Sequence, residues 1–374
     1  MLLTAEGCQQ RRDRLWSRMS DDVEWMLVAD PRHVCYLSGF WVNPLSFSNG
    51  ERSLLLLRRD GSSTLFADNF TRRTAVVDPC VSDEVIHAWY DHKHSVENRD
   101  DALLKAFEDT KTALANSRGA VEGEAVPLTL LPMGAGDIDL GHTIRELRRS
   151  KHDDELELLR RCMRAGDAGH ARALEVIRPG MTEFELYREV QAAAQEAAGC
   201  PALVYGDFRA NNATAPKAGG IPTDYALQEG DLFILDYSVV IQGYRSDFTN
   251  TLAVGEPTSD QQRLFDTCLR ALEVAQSTLD TGTKAAEVYE AASAVLDEGG
   301  FGPLAHHAGH GLGLGHPEAP VFGPESTDVL MTGDVVTIEP GAYVPGIGGV
   351  RVEHNYVITE SGSERLSNHK IALR

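Results

Sequence analysis

Two short segments in the second half of this chain each carry a pair of acidic residues within a β-hairpin pattern. The first segment holds Asp236 and Asp247, and the second holds Glu339 and Glu353. Each segment has two runs rich in β-branched or aromatic residues around a glycine-containing turn, which is the sequence signal of a hairpin. With a symmetric register, the two acids of each pair face each other across an antiparallel ladder.

Two such pairs are difficult to place in an apolar core. The first pair is centred on the junction between Ile241 and Gln242, and the second is centred on Gly346. Like charges directly opposite one another are destabilising, and a buried charge without compensation is costly. A divalent cation is the simplest compensation, so the pattern predicts a metalloenzyme.

A glycine-rich loop between the two segments adds candidate nitrogen ligands. It contains His306, His307, His310 and His316, with glycines on both sides of His310 that let the backbone approach a site closely. Two Asp, two Glu and one His form an oxygen-rich set that suits two divalent ions, Mn²⁺ most naturally, with Co²⁺, Fe²⁺ and Zn²⁺ as alternatives. Each of these residues taken alone is typical of an ordinary structural position; it is their combination that predicts the metal site.

The overall charge limits the class of partner. The chain has 374 residues, 35 basic and 56 acidic, and a formal net charge of −21. Nucleic acid and anionic membrane surfaces do not attract a strongly acidic protein, so neither is expected as a partner. The length is sufficient for two domains, each with its own core.

Cysteine spacing and hydropathy bear on the compartment. The six cysteines are dispersed and contain no C-x-x-C, which favours a reducing environment over a disulfide framework or a zinc cluster. We find no signal-peptide pattern and no apolar stretch long enough to span a bilayer. We therefore expect a cytoplasmic protein.

The pattern changes near residue 150. Residues 1–150 alternate short apolar runs with helical periodicity, which predicts an α/β domain. Residues 151–374 show helices followed by an acidic hairpin, twice over, which indicates an α+β domain with two related halves. We expect these to be two domains, 1–150 and 151–374, with the second carrying the catalytic residues.

The motifs resemble those of the pita-bread metallopeptidases, a family that includes Xaa-Pro dipeptidase (prolidase), aminopeptidase P and methionine aminopeptidase. The resemblance covers residues 152–374 and rests on the stretches LDYSVVIQGYRSDFTNT, HHAGHGLGLGHPEAP and TIEPGAYVPGIGGVRVEHNYVIT. The N-terminal part, especially DPRHVCYLSGF, is similar to the creatinase-type domain of prolidase and aminopeptidase P. The resemblance therefore implies an α/β N-terminal domain and a pita-bread catalytic domain with pseudo-two-fold halves.

Matching positions in the family imply a role for each ligand. Asp247 and Glu353 would bridge two metal ions, Asp236 would complete the coordination of one, and His310 and Glu339 would complete that of the other. Glu339 would also act as a general base, and a hydroxide between the ions would attack the substrate.

The expected substrate residues depart from the family pattern at two positions. His306 matches a histidine that contacts substrate, and Arg351 would orient a carboxylate ligand or bind substrate. Lys217 stands where the family has a histidine near the scissile bond. Pro317 occupies the place of a second histidine, with His316 one residue early. His316 would take over that role if the backbone is shifted, although in a regular strand a one-residue shift points an imidazole elsewhere. These family histidines are expected to bind substrate and to stabilise the tetrahedral intermediate, so we retain His306 and His316 as catalytic candidates.

We therefore expect a di-metal hydrolase that cleaves the Xaa-Pro bond of dipeptides or of peptide N-termini, acting as a homodimer, as the family resemblance implies. The altered substrate residues leave a second enzyme activity open, the hydrolysis of another small amide. A third alternative, a non-catalytic binding scaffold, is disfavoured because all five ligands are present.

Overall fold

The protein has two compact units, Met1–Arg148 and Arg149–Arg374. All six cysteines are free thiols. None of the helices in the part of the chain that the structure describes combines the length and apolar character needed to cross a membrane. The structure is a computed structural model that describes residues 3–42, 52–75, 77–93, 98–133, 135–214, 216 and 219–374.

The N-terminal unit is an α/β domain, as the alternating pattern predicts. Its helices are α1 (Ala5–Trp16), α2 (Pro31–Ser38), α3 (Asn69–Thr74), α4 (Arg99–Ala113) and α5 (Leu140–Arg149), the last of which ends at the boundary between the units. Its strands are β1 (Trp25–Val28), β2 (Ser53–Arg58), β3 (Ser63–Asp68), β4 (Asp83–His87), β5 (Gly119–Val121) and β6 (Ala135–Asp139).

These six strands form one mixed sheet in the order β4-β3-β2-β1-β5-β6. Strand β1 is buried along its whole length and β2 along all but its last residue, which explains why their sequences are largely apolar runs instead of alternating patterns. Helix α4 covers one face, where Phe107 meets Phe66 edge-on with 5.0 Å between ring centroids.

The C-terminal unit places a pair of helices before each set of acidic strands. The helices are α6 (Asp153–Val176), α7 (Glu183–Ala198), α8 (Ser259–Gln276) and α9 (Ala285–Glu298). Helix α7 begins with a capping box, in which Thr182 and Glu185 exchange hydrogen bonds. Helix α8 begins with another, between Thr258 and Gln261.

The strands of this unit form three sheets. The first has the order β10-β8-β7 with β9 paired to β8, the second has the order β12-β11-β13-β16-β17, and the third pairs β14 with β15. The strands are β7 (Leu203–Asn211), β8 (Leu232–Ile241), β9 (Tyr244–Arg245), β10 (Phe248–Ala253), β11 (His310–Gly311), β12 (Glu318–Val321), β13 (Val335–Ile338), β14 (Gly341–Val344), β15 (Gly348–Arg351), β16 (His354–Thr359) and β17 (Gly362–Arg365).

The second acidic hairpin has the expected register. Ile338 pairs with His354 and Gly341 pairs with Arg351, so Glu339 lies opposite Glu353 in the interval between the two ladders. The turn is centred on Gly346, whose φ of 89° lies in the left-handed region.

The first acidic hairpin has a register two residues away from the expected one. Asp236 pairs with Thr249 instead of Asp247, because the turn consists of Gln242 and Gly243. Both turn residues have positive φ, 51° and 85°, as a two-residue type I′ turn requires. Since side chains alternate with a period of two, the shift leaves Asp236 and Asp247 on the same face of the sheet.

Candidate active site

One pocket in the C-terminal unit contains most of the residues that the sequence singles out. It lies between strand β7, strand β8, the glycine-rich loop and the second acidic hairpin. Its walls are formed by Tyr205, Gly206, Asp207, Asp236, Tyr237, Ser238, Asp247, His306, His307, His310, His316, Pro317, Glu339 and Arg351.

The acids and histidines form two close groups at this pocket, and of their members only the buried Glu353 does not line it. Ligand atoms of Asp236, Glu339 and Glu353 all lie within 4.8 Å of one another, and so do those of Asp247, His310 and His316. His310 Nε2 joins the groups, because it lies 3.4 Å from Asp247 Oδ2 and 3.6 Å from Glu339 Oε1.

The carboxylates are too crowded and too buried to remain ionised together without a cation. Burial, reinforced by the neighbouring acids, raises the pKa of Glu339 to about 8 and the pKa of Glu353 well above its ordinary value. Burial also raises the pKa of Asp236 despite the nearby Arg351. This donor set, four carboxylates and an imidazole, fits two divalent ions, because such ions would replace the missing positive charge.

Asp247 is the exception among the four carboxylates. Burial opposes its ionisation, but hydrogen bonds from His310 and His316 outweigh that effect and lower its pKa. The same interaction raises the pKa of His310 to about 9, although burial of the ring acts in the opposite direction. Asp247 therefore remains an anion in the centre of the pocket.

His310 is held so that one ring nitrogen faces the acids. Its Nδ1 lies 2.9 Å from the carbonyl oxygen of Gly311, which fixes Nε2 toward Asp247 and Glu339. Gly309 has a φ of 147°, and a Cβ there would lie 1.9 Å from the carbonyl oxygen of Thr337. A glycine is thus required for the loop to run this close to strand β13.

His316 reaches the pocket despite its displaced position in the sequence. Its Nε2 lies 2.6 Å from Asp247 Oδ2. Residues 313–317 form bends between β11 and β12 instead of a regular strand, so the backbone is shifted in the way that lets His316 replace the displaced histidine. Glu318 supports this loop by accepting hydrogen bonds from Gly315 N (3.0 Å) and from the buried Lys151 Nζ (3.1 Å).

His306 and Arg351 lie on the other side of the pocket. Tyr343 connects them, since its hydroxyl lies 3.4 Å from His306 Nε2 and accepts a hydrogen bond of 2.9 Å from Arg351 Nη1. Arg351 Nη2 also contacts Asp236. Lys217, the remaining predicted substrate residue, lies outside the described residues.

Hydroxyl groups behind the pocket orient the most buried acid. Thr249 Oγ1 donates a hydrogen bond of 2.5 Å to Glu353 Oε2, and Thr337 Oγ1 donates to Oε1. Asn355 binds the backbone of Asp247. These contacts fix the carboxylates before any ligand binds.

A cluster of three buried histidines lies behind the same strands. The ring of His369 lies between those of His170 and His354, with centroid distances of 4.5 and 4.6 Å. His170 Nε2 and His369 Nε2 lie 3.1 and 3.2 Å from the carbonyl oxygens of Phe248 and Thr249, the two residues after Asp247. Burial lowers the pKa of all three rings.

The sequence interpretation missed Asp207 and Tyr205 as members of the pocket, and it gave His307 no role of its own. Asp207 and Tyr205 share one face of β7, and that strand's register with β8 is set by pairing between distant segments. His307 Nδ1 lies 3.4 Å from Glu339 Oε1. The sequence feature that could have placed His307 in the pocket is its position in the histidine-rich loop.

A further group of possible ligands lies in the N-terminal unit, but its polar atoms have other partners. Glu122 Oε2 accepts hydrogen bonds of 2.8 Å from the amides of Ala29 and Asp30, and Oε1 contacts His33 Nδ1. His33 Nε2 lies 3.1 Å from Arg148 Nη1. This group holds the start of helix α2 in place.

The fold and the pocket together define a metal-dependent peptidase with a creatinase-type N-terminal domain. Residues 157–360 match the model of metallopeptidase family M24, and residues 11–149 match that of the creatinase/prolidase N-terminal domain. The chain belongs to metallopeptidase family M24. The fold class implied by the sequence resemblance is confirmed.

Relatives of similar length support this assignment. An uncharacterized peptidase of Staphylococcus saprophyticus is 27% identical over 370 residues, covering 97% of this chain and 99% of its own. A dipeptidase from Pyrococcus horikoshii is 26% identical with a TM-score of 0.76, covering 98% of this chain and 99% of its own. The prolidase from Pyrococcus furiosus is 25% identical with a TM-score of 0.72, covering 94% and 98%.

Proposed function

We propose that this peptidase hydrolyses the Xaa-Pro bond of dipeptides or of peptide N-termini with two divalent ions, most naturally Mn²⁺. The observation that carries the proposal is the convergence of Asp236, Asp247, Glu339 and His310 in one pocket, with the buried Glu353 within 4.8 Å of two of these acids. The similarity to a prolidase and a dipeptidase supports the choice of substrate.

Asp236, Asp247, His310, Glu339 and Glu353 would hold the ions. When bound, such ions polarise the scissile carbonyl and make water nucleophilic at neutral pH. Glu339 would also accept a proton from the attacking water, the general-base role that the family resemblance implies.

The remaining predicted residues would act on the peptide. His316 and His306 line the pocket on opposite sides, where an imidazole can donate a hydrogen bond to the oxygen that becomes negative in the tetrahedral intermediate. Lys217 would add positive charge near the scissile bond, but a lysine lacks the proton relay of an imidazole.

The test combines metal analysis with a substrate panel. We expect the purified protein to retain divalent metal and, with Mn²⁺, to release the first residue from Ala-Pro or Ala-Pro-Ala but not from Met-Ala. Absence of bound metal would refute the proposed centre. Metal without Xaa-Pro cleavage would refute the substrate assignment and favour the small-amide alternative.

A homodimer in the cytoplasm completes the proposal. The dimer is suggested by the resemblance to prolidase and aminopeptidase P, and the six free thiols are consistent with a reducing compartment. Light scattering after size-exclusion chromatography measures the oligomeric state; a monomer at micromolar concentration would refute the dimer.

A further inference from the structure

Asp207 brings a fifth carboxylate to the pocket, directly beside a predicted metal ligand. In the ladder between β7 and β8, Asp207 is the cross-strand partner of Asp236. Two like charges in this arrangement repel each other. Arg351 compensates for both, because its Nη2 lies 3.1 Å from Asp207 Oδ2 and also contacts Asp236 Oδ2.

This contact places Arg351 in competition with a metal ion for Asp236. The Arg351 side chain is only 7% exposed, so a guanidinium that gave up Asp236 would lose a charge partner in a buried position. Losing one partner of a buried ion pair is strongly unfavourable. Tyr343 is neutral, and Glu339, 3.9 Å from Arg351 Nε, is itself a predicted metal ligand, so metal binding at Asp236 is favoured when a further carboxylate remains beside Arg351.

Asp207 is positioned to be that carboxylate. Its side chain is 37% exposed, and its carboxylate packs against Gly219, where an added Cβ would lie 1.9 Å from Oδ2. Because the same oxygen contacts Arg351 and packs against Gly219, the Asp207 carboxylate is held beside the guanidinium.

We propose that Asp207 is a positioning residue that retains the Arg351 guanidinium when Asp236 is taken by a divalent ion, and so raises the affinity of the metal centre. This inference rests on the proposed metal-dependent function. Outer contacts to metal ligands typically change metal affinity by about 10- to 100-fold. Because Asp207 is partly exposed, we expect the lower end, about tenfold.

A double-mutant cycle with Mn²⁺ as the probe tests the proposal by isothermal titration calorimetry. Asp207→Asn should weaken Mn²⁺ binding about tenfold in the wild-type background and less than about twofold in the Arg351→Gln background. Asp224→Asn, which removes an exposed charge from the same unit, is the control for a general electrostatic effect and should leave the affinity unchanged. Thermal unfolding of each variant verifies the fold.

Equal weakening by Asp207→Asn in both backgrounds, or no weakening, would overturn this inference and leave the proposed function intact. No Mn²⁺ binding by the wild-type protein would overturn both. A crystal structure of the Mn²⁺-loaded wild-type protein gives an independent test that needs no variant. There, Arg351 should remain hydrogen-bonded to Asp207 and be separated from Asp236; an intact contact with Asp236 beside the bound ion would overturn the proposal.

Discussion

Glu339 makes the free energy of unfolding of the metal-free protein depend on pH, and one substitution isolates this effect. Burial raises its pKa from an ordinary value of 4.5 to about 8, so the native state keeps a proton that the unfolded chain releases. The stability due to this proton is fully present below pH 4.5 and is lost as the pH rises through about 8. Between about pH 5.5 and about pH 8 the loss amounts to about 3 kcal/mol.

Glu339→Gln removes this titration while keeping the shape of the side chain. We expect the free energy of unfolding of the wild-type protein, measured in urea with a chelator present, to fall by about 3 kcal/mol more than that of the variant over this pH range. The raised pKa values of Asp236 and Glu353 affect both proteins. Glu298→Gln, at an exposed position on α9, should follow the wild-type protein. Parallel pH dependences of the wild-type protein and Glu339→Gln would refute the reasoning.

Three further substitutions probe the site. Asp247→Ala should abolish both metal occupancy, measured by elemental analysis, and turnover; retained activity would contradict its role as a bridging ligand. Gly309→Ala should weaken Mn²⁺ binding at least about tenfold in calorimetry, because its Cβ would displace the loop from the Thr337 carbonyl oxygen; unchanged affinity would contradict the close approach. Lys151→Met should lower the free energy of unfolding by about 3 kcal/mol in urea, because it leaves the Glu318 carboxylate without its cation; a loss well below 1 kcal/mol would show that the pair is effectively solvated.

Local patterns predicted much of the catalytic unit. The turn at Gly346 fixed the pairing of Glu339 with Glu353, because a short loop determines the register of the strands beside it. For the first hairpin the same reasoning predicted a partner for Asp236 that is two residues from the observed one. The reason is that Gln242 gave no strong signal for the left-handed conformation that it adopts. This error does not affect the predicted metal site, because a shift of two residues leaves each side chain on the same face of the sheet.

Positions set by non-local contacts could not be predicted in this way. Asp207 meets Asp236 only because β7 pairs with β8, and the chain between these strands carries no register signal. His316 reaches Asp247 because the segment before β12 is irregular and is held by Glu318 and Lys151. A one-residue displacement in a motif is therefore a weak guide to where a side chain points outside regular structure.

The cluster of buried histidines makes the fold less stable in acid. Burial lowers the pKa of His354 to about 2 and that of His369 to about 4, and it lowers the pKa of His170 well below its ordinary value of 6.5. In the unfolded chain these three histidines bind protons near pH 6.5, whereas in the folded protein they stay neutral. The stability that the histidines contribute is therefore present above pH 6.5 and declines as the pH falls. Without metal, the raised pKa of Glu339 makes the stability of the fold decline on the alkaline side as well. Divalent ions, by binding the ionised carboxylates, would remove the loss of stability on the alkaline side. The loss on the acid side, which is due to the histidines, would remain.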